Sequence, residues 1–139
     1  MKDNEFHQEI SKALAGCQQV EKELKDYIGI AFKAAQRQNL PYQPLTNDIE
    51  AMPLGKLIKA FKNNGGESDI VSALEKFTEE RNFLAHRASS ENIDLDGNIY
   101  LSETLRERLA EIQTTAEFLR RRIYDSAVLL EFNKISGAG

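Results

Sequence analysis

The chain predicts an all-α fold: one domain over residues 1–139, a bundle of four helices in the order long, short, medium, long. Two observations carry this. Over two long stretches the apolar residues recur in alternating steps of four and three, the period of a helix with one buried face. The strong breakers gather elsewhere, in the segment NLPYQPLTNDIEAM and in the run Asn63-Asn64-Gly65-Gly66. A composition that is 41% hydrophobic and 29% charged is that of an ordinary globular protein, and 139 residues suffice to bury a real core.

The first helix is expected from about residue 3 to 38, with Phe6, Ile10, Ala13, Cys17, Val20, Leu24, Tyr27 and Ala31 on one stripe and Pro41 just beyond its end. A short helix follows from about Pro53, with Leu54, Leu57, Ile58 and Phe61 on one side, and the double glycine stops it. The third runs from about Ser68 to Ala88 on a stripe of Ile70, Leu74, Phe77 and Leu84. The fourth starts at Ser102 and reaches about residue 135, on a stripe of Leu105, Leu109, Ile112, Ala116, Leu119 and Ile123. Toward its end a second stripe appears: Tyr124, Val128, Phe132 and Ile135. A helix apolar on two sides needs two partners, and a second copy of the chain is one candidate for the other.

The bulk properties exclude several classes. No apolar run approaches the length of a membrane span. The opening MKDNEFHQEI has acidic and amide residues where a signal peptide would carry a basic and then an apolar segment, so a cytoplasmic chain is expected. A lone cysteine, Cys17, cannot form an internal disulfide, and its place on the stripe reads as a small buried hydrophobe. The net charge of −4 and pI near 5.3 mean that any nucleic-acid contact must come from a local patch.

One stretch breaks the pattern, EERNFLAHR at residues 79–87. Arg81 stands in the middle of the third helix's core stripe, four after Phe77 and three before Leu84. An arginine there must snorkel to the surface, pair with a glutamate from a neighbouring helix, or hold an anionic ligand, because an unpaired buried charge is costly. His86 lies roughly 140° further round the helix, and Asn82 stands between them in projection. A two-fold axis along this sector would bring two copies together around a small cationic pocket. Such a pocket suits phosphate chemistry. Arginine presents a fork of donors that matches phosphate oxygens, and histidine titrates near neutrality and can move a proton while a ribose 2′-hydroxyl attacks its own phosphodiester. No carboxylate–histidine spacing reads as a metal cage, so no metal and no cofactor is expected.

Arg81-Asn82-Phe83-Leu84-Ala85-His86 resembles the Arg-x4–6-His motif of the HEPN superfamily, four-helix domains common in prokaryotic toxins and antiviral systems. The polar residue after the arginine, the motif's place late in the third helix, the long fourth helix behind it and the segment PLGKLIKAF all add to the likeness. The resemblance implies a HEPN-like bundle that forms a homodimer, with the motifs facing each other across a cleft. It implies a metal-independent endoribonuclease in which Arg81 binds the scissile phosphate, His86 transfers protons or contacts phosphate, and Asn82 orients or assists. RNA would be the substrate, and an antitoxin or nucleotidyltransferase a possible partner. The alternative is a non-catalytic HEPN-like homodimeric module that binds a protein or nucleotide, with Arg81 as a structural or ligand-holding group. His86 would then only meet the last carbonyls of its helix. His7, in the first turn of the first helix, reads as a surface residue.

Two further features stay open. Residues Asn92 to Glu103, NIDLDGNIYLSE, match the positions of a calcium loop at Asn92, Asp94, Asp96, Gly97, Ile99 and Glu103. The competing reading is a small hairpin with a turn at Asp96-Gly97. The asparagine in first place, the absence of a second loop and the polar residues before it favour the hairpin or a plain loop. Arg120, Arg121 and Arg122 point in three directions. With Arg106 and Arg108 they form either part of an electropositive rim or, the preferred reading, a solvated helix surface.

Overall fold

The computed structural model describes residues 2–38, 49–89 and 103–136. Among these lie four helices, α1 (Lys2–Gln38), α2 (Leu54–Asn63), α3 (Ser68–Ser89) and α4 (Glu103–Ser136), with one 3-10 turn at Ile49–Ala51 and no strand. The fold is therefore all-α, in the expected long–short–medium–long order. The segment read as a hairpin or calcium loop lies outside the described residues, apart from Glu103, which heads α4.

The predicted stripes meet in one core. Every residue given above for the apolar stripes of α1, α2 and α3, and every one on the first stripe of α4, is buried. Ile28, Ala60, Val71 and Ala127 widen the stripes. No polar or charged side chain is buried among the described residues, so apolar burial drives the assembly. Ion pairs from Arg106 to Glu5 and from Arg120 to Glu23 run in the same order along both helices, so α1 and α4 are parallel. They approach closely at Gly16, where an added Cβ would stand 3.1 Å from the Cβ of Ala116. Helix α3 runs antiparallel to α4. Arg122 bonds Glu67 and Asp69 at the start of α3, and Arg108 bonds Glu80 past its middle.

The α2–α3 turn shows why the double glycine is needed. Gly65 has φ +94°, a conformation that only glycine adopts without strain. Gly66 donates its N–H to the Phe61 carbonyl at 2.8 Å, and a Cβ on it would lie 2.4 Å from the Phe61 ring. The Tyr27 hydroxyl donates to the Asn64 carbonyl at 2.8 Å, tying this turn to α1.

Of the second apolar stripe of α4, three members are left uncovered, and the side chain of the fourth, Ile135, lies outside those described. Tyr124, Val128 and Phe132 are 53%, 46% and 62% exposed, and Phe118 and Leu129 join them at 52% and 58%.

Candidate functional site

The motif occupies the C-terminal half of α3, which Phe77 and Leu84 anchor in the core. Arg81 faces α1. Its position on the core stripe would bury a charge, yet the long side chain turns outward until it is 42% exposed, and Nε lies 3.7 Å from Oε1 of Glu21. Arg81 thus both snorkels and pairs, which reconciles an arginine with an apolar seam.

Asn82 and His86 lie one turn apart on the next face, and both are exposed. The structure therefore aligns Asn82 with His86 and sets Arg81 on the flank toward α1. Within one chain, Arg81 and His86 stay on different faces, as their spacing requires. On the opposite flank Phe83 packs toward α4, where the Arg108 guanidinium sits 3.5 Å over its ring and Arg87 lies 5.6 Å from it. Arg108 is held there by a two-pronged bond to Glu80, at 2.8 and 3.0 Å. Phe83, Glu80 and Arg108 make a clamp that fixes the rotation of α3 against α4.

Cys17 lies beneath Arg81. It is buried, and its thiol is pushed up to about 11, first by burial and then by the Glu21 carboxylate, with the Arg81 charge pulling the other way. A thiol held protonated at neutral pH is no nucleophile, so Cys17 is a core residue. Its chief interest is that it shares the field of the Arg81–Glu21 pair.

The sequence did not single out Glu21. Its signal was faint: it lies one turn after Cys17 on the edge of the α1 stripe, where a carboxylate can meet a cation from the next helix. The arginines of α4 resolve toward the solvated-surface reading. Arg106 pairs with Glu5, Arg108 with Glu80, Arg120 with Glu117 and Glu23, and Arg122 with Glu67 and Asp69. These carboxylates neutralise the rim that the unpaired charges would have formed. Among the described residues no cluster of three or more His, Cys, Asp or Glu is placed to hold a metal ion. His7 is exposed, with its ring edge-on to Phe6.

A groove of about 620 Å³ opens between α1 and α4 instead, lined by Asp26, Lys33, Ile49, Tyr124 and Val128 among others. It borders the C-terminal half of α4, whereas the motif lies beside Arg108 in the N-terminal half. No helix of the described residues is long and apolar enough to cross a membrane. Comparison with protein-family models, with curated proteins and with solved structures gave no match.

Proposed function

We propose that the chain is a metal-independent endoribonuclease of the HEPN type that acts as a homodimer, with Arg81, Asn82 and His86 as its working residues. The observation that supports this best is the exposure of Asn82 and His86 on one face of a firmly seated helix, with a half-exposed Arg81 guanidinium on the adjoining flank. In this reading His86 takes the proton of a ribose 2′-hydroxyl, and the 2′-oxygen forms a bond to phosphorus. The bond from phosphorus to the 5′-oxygen breaks, that oxygen takes a proton from water, and His86 gives up its own to the hydroxide left behind. The Arg81 fork carries the charge that builds on the phosphoryl oxygens, and Asn82 orients the phosphodiester. The cleft is completed by a second copy of α3, and a toxin or antiviral role, with an antitoxin or nucleotidyltransferase as partner, follows from the resemblance.

A second reading is a homodimeric module without catalysis, binding a protein or nucleotide. A specific observation favours it: the Arg81 guanidinium already has a carboxylate in Glu21, and the α4 arginines near the motif are paired too.

Purified protein on mixed cellular RNA, with a chelator present, separates the two. Cleavage by the wild type that falls about 10²–10⁴-fold in His86→Ala, with fold retained, is the expected result. Equal cleavage by both proteins sinks the role of His86. No cleavage by either leaves the non-catalytic module.

A further inference from the structure

The outer face of α4 carries a stripe that the core does not use. Thr114, Phe118, Arg121, Asp125, Val128 and Phe132 follow one another in steps of four, three, four, three and four, and all six are exposed. That spacing is the seam of a two-stranded coiled coil, and here it is about 27 Å long. Leu129 lies beside it, 58% exposed. Phe118 on one side and Val128 and Phe132 on the other flank a charged middle, with one cation and one anion a turn apart.

The order of these residues is complementary to its own reverse. Two copies of α4 laid antiparallel, with a two-fold axis opposite Ile123, bring Arg121 against Asp125 and Asp125 against Arg121. The same register sets Phe118 against Val128 and Leu129, and Thr114 against Phe132, each pair occurring twice. A parallel pairing in register would instead stack Arg121 on Arg121 and Asp125 on Asp125. Moving the antiparallel axis to Asp125 would oppose two carboxylates. Arg121 is free to turn outward: its side chain is 75% exposed, and its contact with Glu117 is long, at 3.8 Å.

We infer that this stripe docks a second copy of the chain as an antiparallel α4–α4 pair, with the Arg121–Asp125 contacts selecting orientation and register. Isologous symmetry makes every favourable contact count twice, and the buried charges are matched rather than stranded. The inference does not rest on the Arg81 reading. Because α3 is antiparallel to α4 and its motif end lies by Arg108, this two-fold holds the two motifs near opposite ends of the dimer. A cleft that pairs the motifs uses a different two-fold, and the two contacts together would build an assembly larger than a dimer.

Charge reversal tests the register. Arg121→Asp makes the centre of the stripe wholly acidic, and Asp125→Arg makes it wholly basic. In sedimentation equilibrium each single variant is expected to self-associate through this face roughly ten- to a hundredfold more weakly than the wild type. Mixed in equal amounts, the two variants are expected to pair with each other, acidic stripe against basic stripe, as tightly as the wild type pairs with itself. Circular dichroism checks that each variant keeps its helices, and Val128→Glu, which breaks the apolar layer, is expected to dissociate the pair without charge rescue. A wild type that stays monomeric at high micromolar concentration overturns the inference. So does an association that neither reversal weakens, or single variants that fail to pair when mixed. The helix-internal contact of Arg121 with Glu117 cannot mimic the mixing result, because it never joins two chains.

Discussion

Arg81→Ala, read beside Glu21→Gln and the double variant, separates what the arginine does for the fold from what it does for a substrate. The ion pair is long, 3.7 Å, with side-chain exposures of 42% and 23%. At that distance two unit charges attract by about 1 kcal/mol in the dielectric of water, and exposed pairs measure about 0.2–1 kcal/mol. Arg81→Ala and Glu21→Gln are each expected to cost about 1 kcal/mol or less, or about 2–5 °C in melting temperature for a chain of this size. The double variant should lose no more than either single, because one contact is being removed by two routes. Activity should behave differently. Loss of the phosphate-holding fork is expected to lower the rate of RNA cleavage by about 10²–10³, or about 3–4 kcal/mol of barrier. Glu21→Gln leaves the guanidinium in place and releases it from its carboxylate, so cleavage should hold or rise. Urea denaturation followed by circular dichroism gives the stability half, and single-turnover cleavage of RNA gives the other. A stability loss above about 3 kcal/mol for Arg81→Ala would make the residue a structural support and refute the reasoning. Equal falls in cleavage for Arg81→Ala and Glu21→Gln would do the same, since the pair rather than the free fork would then matter.

Cys17 should resist an aromatic disulfide reagent at neutral pH until the protein unfolds, and labelling during a urea titration should track the loss of helicity. Its raised thiol, at about 11 in the fold, favours the protonated form. That contribution is fully present below the ordinary thiol value of 9.0 and is lost as pH rises through about 11, worth at most about 3 kcal/mol. Tyr27, raised by burial and by Glu67, acts in the same direction, because ionisation removes the proton it donates to Asn64. Thermal melts should therefore fall between about pH 9 and 11, less steeply in Cys17→Ala. Leu109→Ala, at a fully buried site, should cost about 2–5 kcal/mol in urea denaturation. Gly66→Ala should cost about 1–3 kcal/mol, because its Cβ meets the Phe61 ring and lies 2.7 Å from the Phe61 carbonyl oxygen.

The sequence by itself determined the elements and the inward face of each. The four-three steps from Phe6 to Ala31 and from Leu105 to Ile123 describe a helix with one buried side, and those residues are the ones that the core encloses. The double glycine ended α2 for a reason written in its own backbone, since positive φ at Gly65 and a contact too close for a Cβ at Gly66 need no distant partner. The oddity of Arg81, and its company with Asn82 and His86, was legible as well. What Arg81 does in the fold was not. Its choice of Glu21 depends on how far α3 is rotated and shifted against α1, and the same is true of Arg108 lying over Phe83 and of the paired arginines on α4. Phe118 and Leu129 escaped the second stripe for a related reason. Periodicity reports which side of a helix is apolar, while only the packing of α1 and α3 against α4 decides which apolar side chains stay uncovered. A helix carries its own period in three or four residues, but a contact between helices is set by two rotations and a shift that no local run of sequence encodes.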